Sequence, residues 1–458
     1  MKIPYPSGIS GLNAFPELQE FLVNLFAVEE GLIQTPGISS FTTGNNICRG
    51  MTKWNDEVFT VSGSSLAKIA SDGTFSSIGG ISGTAHCEMA TDYTVMAIVQ
   101  QGGSGTGYVY DGSTLAAITD GDYQASIDVV NIGGRFVFVP ADGGPLFYTD
   151  VNGLTVATVA TCIPAGNFFD AELLPDKNVG AVVIKNNLYA LGQDICELFR
   201  LTPDTVLPFK RVDQGAVHTG YIGGKCFYQN TFAFIGRDRE GAPDAFIMQP
   251  GEALSISNPA IQEILASYSE SDLQNIRPMR YTWKKCQVIV WRLSNVTLAF
   301  CNGNWVYIRS GNGDNYRANY MTPAYDTYVV GDAVTNQFGK LADVPTEYTA
   351  PVEREIETFA HFEKGSFVGV NAIELDCRTG TMPVEGRIGL KVSRDNEIFG
   401  QPVWRSLGKH GKRHQRVLWT GGVGNFESHI GVNLRTTADV EFSTKELTAV
   451  LEKDKQVA

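Results

Sequence analysis

Short apolar runs with β-forming residues alternate with polar, glycine-rich tips along most of this chain. The clearest unit reads TFAFIGRDREGAPDAFIMQ, Thr231 to Gln249. An apolar run, Thr231 to Ile235, meets the polar tip Gly236 to Pro243, and a second run, Ala245 to Met248, leads away. Two β-prone runs joined by a Gly/Pro/Asp tip predict a hairpin. The unit recurs from Glu57, Tyr93, Arg135, Asn187, Thr231, Cys286 and Thr327, with starts 36, 42, 52, 44, 55 and 41 residues apart. That interval is close to the ~40 to 50 residues of a propeller blade. Radial closure would leave only short sheet edges exposed. No fixed signature such as Trp-Asp recurs, and a sandwich of many hairpins is the rival reading.

The longest interval holds a different pattern. In ISNPAIQEILASYSESDLQN, Asn258 suits an N-cap and Pro259 the first helical turn. Ile261, Ile264, Leu265 and Tyr268 fall on one helical face. The spacing predicts one inserted helix of about three turns between units five and six, with Ser269 or Ser271 able to start a further short turn. Residues 1–45 form an entry arm in which Leu18, Phe21, Leu22, Leu25 and Phe26 keep helical spacing. The arm is a short helix or an extended segment, packed on the body or reaching a neighbour. Residues 46–345 carry the seven units. From 346 onward the character changes. A charged crossover, VPTEYTAPVEREIETFAHFEKGS, precedes strand-like FVGVNAIELDC, RIGLKV, RVLW, HIGVNLR, DVEFS and ELTAVL. Alternation in this region predicts strands with one buried face and a C-terminal β-sandwich over 346–458, ending in a loose EKDKQVA tail. The expected fold is all-β: a seven-bladed propeller-like body with an N-terminal arm and a C-terminal sandwich.

With 458 residues the chain can bury a large core, and 43% apolar against 19% charged residues suits a globular all-β protein. The formal charge of −13 argues against holding nucleic acid by phosphate neutralisation. Eight cysteines (48, 87, 162, 196, 226, 286, 301 and 377) form no CxxC pair and sit mostly in apolar runs. They read as free, buried thiols of a chain made in a reducing cytoplasm. Lys2 is followed by IPYPSG and not by an apolar leader, and no apolar run of 18 residues occurs, so no membrane insertion is expected.

Candidate chemistry is sparse. The six histidines form no HExxH or HxH motif, and His410 and His414 share ligand spacing only if GKHGKRHQR were helical, which its glycines oppose. Acidic residues are scattered over loop tips, as at Asp142, Asp238, Glu240 and Asp244. A propeller glycan hydrolase would need paired carboxylates. QQGGSGTG, Gln100 to Gly107, joins two strands and leads into no helix that would present amides to phosphate. Asn312 to Asn315 lacks full calcium-loop spacing. No cofactor and no metal are expected. The one dense basic cluster is Lys409, His410, Lys412, Arg413, His414 and Arg416. It reads as a solvated loop or as a patch facing an acidic subunit surface or a DNA phosphate.

Four stretches resemble a known family. They are VNLFAVEEGLIQTPGI from Val23 to Ile38, the segment from Cys48 to Ile69, the long run from Gln214 to Leu273, and RIGLKVSRDNEIFG with RHQRVLW and HIGVNLRTTADVEFSTKEL. In order and spacing they are similar to the tail accessory, or packaged-DNA stabilization, proteins of short-tailed phages. The likeness lies in apolar spacing and turn residues and is weakest from Tyr93 to Ala165. It implies a non-enzymatic virion tail protein, a hub or nozzle that extends and seals the portal-adaptor channel and helps retain packaged DNA. It also implies a homo-hexamer touching a head-to-tail adaptor ring, tailspikes or fibres, and a needle or plug. Double-stranded DNA would pass without sequence-specific binding. Two other functions stay open from the residues alone, a glycan hydrolase and a monomeric interaction propeller.

Overall fold

Seven antiparallel blades of four strands, five of them separate sheets and two of them parts of larger sheets, account for the middle of the chain in the computed structural model, which describes every residue except 102–104, 172, 205, 213–214, 239–240, 363–367, 380–384, 410 and 454–458. Blade 1 comprises Cys48–Trp54, Glu57–Ser62, Ser65–Ile69 and Phe75–Gly80. Blade 2 comprises Cys87–Thr91, Met96–Gln100, Tyr108–Tyr110 and Leu115–Ala117. Blades 3, 4 and 5 begin with Ser126–Ile132, Asn178–Ile184 and Thr219–Tyr228. Blade 6 runs from Arg277–Trp283 to Asn304–Tyr307. Blade 7 takes Ala318–Ala324, Thr327–Asp332 and Gln337–Ala342 from late in the chain, and its fourth strand, Gly37–Thr43, from the beginning. The first strand of every blade touches the first strand of the next, and Ala318–Ala324 returns to Cys48–Trp54, closing the ring.

The recurring unit has a local cause. In six blades a two-residue turn joins the first and second strands: Asn55-Asp56, Gly133-Gly134, Lys185-Asn186, Gln229-Asn230, Lys284-Lys285 and Tyr325-Asp326. At least one residue of each has positive φ. Such turns match the twist of the strands they join. The second strands therefore begin at Glu57, Arg135, Asn187, Thr231, Cys286 and Thr327, the starts of the recurring units. In blade 2 the turn is longer, and the strand starts at Met96 rather than Tyr93.

Each blade buries both faces against its neighbours. Trp54, Phe59 and Tyr110 pack between blades 1 and 2, Phe136, Phe138 and Phe147 beside blade 2, and Phe232, Phe234 and Phe246 beside blade 4. The insertion between blades 5 and 6 is two short helices rather than one of three turns: α1, Pro259–Ala266, and α2, Glu270–Gln274. Asn258 caps α1 by accepting from Ile261 N at 3.0 Å, and Ser269 caps α2 by accepting from Asp272 N at 3.2 Å. Ile261 and Leu265 are buried, with Ile264 and Tyr268 packed beside them.

Residues after 353, together with strands from residues 2–34, form two sheets packed as a sandwich. One holds, in order, Leu25–Val28, Gly31–Gln34, Ser443–Lys453, Val368–Arg378 and His414–Phe426, with Lys2–Ile3 paired to Ser443–Lys453. The other holds Phe21–Val23, Arg354–His361, His429–Thr436, Arg387–Ser393 and Val403–Ser406. The second sheet does not stop at the sandwich. Val23 pairs in parallel with Tyr307 of blade 6, so nine strands run from propeller to sandwich without a break. One apolar core spans Val288, Val290 and Val306 of blade 6 and Leu375, Val432 and Leu447 of the sandwich.

Of the two forms expected for the arm, the extended one is found: a 3-10 turn, Pro16–Leu18, is followed by strands Phe21–Val23 and Leu25–Val28. Asn24 between them has φ 55°, which no right-handed helix accepts. The charged crossover after 346 contains a full strand, Arg354–His361. Its inward positions are Arg354, Ile356, Thr358 and Ala360, and the two polar ones hid the alternation. Of the expected loose tail, Glu452 and Lys453 complete a strand, and 454–458 lie outside the described residues.

Candidate functional site: the propeller axis and the sandwich edges

The seven first strands surround a cavity of about 520 Å³. That is the size of a small-molecule pocket and far too small for a duplex. Its polar groups come from different blades. His86 Nε2 lies 2.9 Å from Glu88 Oε1, and Nδ1 faces both the Tyr320 hydroxyl and, at 3.1 Å, Arg49 O. The His86 and Tyr320 rings stack with centroids 5.2 Å apart. Burial pushes the imidazole down, against the pull of Glu88. Burial also works to raise Glu88, but the carboxyl ends well below its usual range. His86 beside it, and then the cations Lys225 and Arg277, hold it there. On the far side of the cavity, Lys225 of blade 5 reaches past blade 4 to Asp128 of blade 3. Lys225 Nζ also donates to Ala181 O at 2.9 Å, and Asp128 Oδ2 accepts from Ala181 N at 2.8 Å. Burial pushes Asp128 up against the pull of Lys225.

Arg49 is a third tie. Its guanidinium donates to Ala85 O at 2.7 Å, Gly63 O at 2.6 Å and Gln100 Oε1 at 3.0 Å, fastening blade 1 to blade 2. The axis therefore carries polar latches that join blades 1, 2 and 7 on one side and 3, 4 and 5 on the other. Glu88 and Asp128 are the two carboxylates that line the cavity. One is held as the anion, the other is bound to a lysine and two backbone amides, and neither is poised as a general acid. Sequence reading missed this set because its members are scattered from 49 to 320 and share no motif; only closure of the ring brings them together.

The basic cluster lies at one edge of the first sandwich sheet. Lys409, Lys412 and Arg413 are exposed in the loop before strand His414–Phe426. His410 lies outside the described residues, as do Glu240 and residues 102–104 of the glycine-rich loop. His414 pairs with Asp376 at 2.5 Å and Arg416 pairs with Glu374, both on the adjacent strand. Part of the positive charge is thus compensated within the chain. Asp142 and Asp238 are exposed, whereas Asp244 is buried and accepts from Ser255 Oγ at 2.7 Å. Asn315 accepts from Thr297 Oγ1 at 2.6 Å and donates to Leu293 O at 2.9 Å, so its side chain is committed to the fold. Among the described residues no group of three His, Cys, Asp or Glu is placed to hold a metal. No helix among them is long and apolar enough to cross a membrane. All eight cysteines are free thiols, and all but Cys286 are buried.

Comparison with known proteins follows the same two-part division. Residues 2–344 match the family model described as bacteriophage P22 Gp10, beta-propeller, and residues 353–452 match bacteriophage P22 Gp10, beta-sandwich. The tail hub protein gp10 of Salmonella phage P22 is 22% identical over 444 residues, covering 90% of this chain and 91% of that protein. Among solved structures, the β-propeller domain of Myceliophteria thermophila Cps50 (Swd1) is 7% identical with a TM-score of 0.41, over 66% of this chain and 99% of that one. The computationally designed Ika8 protein is 10% identical with a TM-score of 0.39, over 74% and 98%. Matched by both models across propeller and sandwich, the chain belongs to the bacteriophage P22 Gp10 family and is a structural protein of a phage tail hub, not an enzyme.

Proposed function

We propose that six copies of this chain form a ring around the tail axis, extend and seal the channel below a head-to-tail adaptor ring, and help retain packaged DNA. In this reading the ring carries tailspikes or fibres on its outside and a needle or plug below. The chain is made in the host cytoplasm, where its thiols stay reduced. Residues 46–345 act as the rigid block, 346–458 as the module beside it, and 1–45 as the tie between them. The observation that carries the reading is the likeness to a tail hub protein over both parts of the chain. Charge supports it. Six copies at −13 each total −78, and an acidic lumen repels phosphate and lets a duplex slide. The basic corner at Lys409, His410, Lys412, Arg413, His414 and Arg416 is proposed as a subunit contact. Mass measurement of the purified chain, alone and with its adaptor, tests the reading: six copies are expected, and a monomer in both conditions favours a lone interaction propeller.

A further inference from the structure

The first sandwich sheet has two free edges of opposite charge. Among the described residues, strand Leu25–Val28 pairs only with Gly31–Gln34, and strand His414–Phe426 only with Val368–Arg378. The first edge ends in the turn Glu29-Glu30. Both glutamates are exposed, and neither has a charged partner among the described residues. The second edge begins at Lys409, Lys412 and Arg413, equally exposed and without acidic partners there. It also exposes Leu418, and Val403 and Trp404 stand uncovered on the neighbouring strand Val403–Ser406. A thirteen-residue edge strand left unpaired is an adhesive surface.

From these placements we infer that the edge at Lys409–Phe426 of one copy docks on the edge at Leu25–Gly31 of the next, so that one β-sheet runs on from subunit to subunit. The inference rests on the ring reading above and deepens it. Four antiparallel pairings separate the two edges, so they run in the same direction and meet as a parallel pair. Their levels agree. Gly31 lies against Thr444 and Lys445, while Glu446 is in register with Asp376 and Asp376 with Arg416. The acidic turn therefore stands about level with Arg416. A parallel meeting of like edges would set Glu29-Glu30 against itself, and Lys412-Arg413 against itself. The head-to-tail combination joins an acidic edge to a basic one, and a head-to-tail contact is the kind that closes a ring. Trp404, Leu418 and the flanking arginines are residues of the type that dominate such contacts.

The test mixes two full-length variants, Glu30→Cys and Arg416→Cys, under mild oxidation, with the unmodified chain as control for Cys286. The expected product is the mixed disulfide dimer, about tenfold in excess of either homodimer, with a ladder of higher species from the double variant. A second measurement reverses charge. Arg416→Glu should weaken self-association about tenfold, and Glu29→Lys with Glu30→Lys on the partner should restore it. If the unmodified chain forms rings but the mixed dimer is absent, this contact is wrong, the ring reading survives, and the basic edge serves another tail component. If the unmodified chain stays monomeric with its adaptor present, both fall together.

Discussion

Asn24 shows how much one side chain can organise. It is buried, with φ 55°, between two strands that enter different sheets. Its amide donates to Arg309 O at 2.8 Å and Glu353 O at 2.7 Å, and its carbonyl accepts from Arg309 N at 3.0 Å. It thus ties the arm, the end of blade 6 and the first sandwich strand. Asn24→Ala strands one buried and two half-buried backbone groups, so thermal unfolding should show a loss of about 3 kcal/mol. A titratable group works at the same joint. Glu357 accepts from Asn433 Nδ2 at 2.8 Å, and burial, with Glu355 beside it, pushes its carboxyl up to about 7. An unfolded glutamate titrates near 4.5. The native state thus binds the extra proton between those values, and the group's stabilisation is fully present below about 4.5 and lost as pH rises through 7. Glu357→Gln removes the penalty. It should raise the melting temperature above the unmodified chain's at pH 8 and leave the two nearly equal at pH 4.5.

Among elements, the latch from blade 5 to blade 3 invites a direct check. Lys225→Ala leaves buried Asp128 without its cation, at a cost of roughly 3–5 kcal/mol. Adding Asp128→Asn removes the stranded carboxyl and should recover a good part of the loss in a denaturant titration. No change on Lys225→Ala would show that water reaches the axis and that the latch holds nothing. The blades themselves were legible as elements because of the turns: Asn55-Asp56, Gly133-Gly134 and Tyr325-Asp326 mark a strand boundary within two residues. The arm was not, because Leu18, Phe21, Leu22, Leu25 and Phe26 fit a helical face as well as they fit short buried strands. Arg354–His361 was missed for the opposite reason, since buried Arg354 reads as a surface residue. Its charge is carried inside by Ala438 O at 3.2 Å and Pro345 O at 2.8 Å, partners invisible along the chain.

For the whole molecule, the nine-stranded sheet and the shared core leave no flexible joint between propeller and sandwich. Calorimetry should therefore record one transition for the chain, with no separate melting of the sandwich; two resolved peaks would contradict the shared core. The same continuity matters for a part built into a ring, because a load on the sandwich passes directly into blade 6.

Local chemistry along the chain was enough to determine seven repeated units, the capped helical insertion, a second β-rich part after 346 and the absence of a catalytic motif. Those features depend on neighbours in sequence: turn residues, alternation and caps. Tertiary structure alone decided that Gly37–Thr43 closes blade 7, that Phe21–Val23 welds the two parts, and that His86, Glu88, Asp128 and Lys225 meet at the axis. Each is a contact between residues far apart in the chain, selected by which edges and charges remain unpaired once the local units have formed.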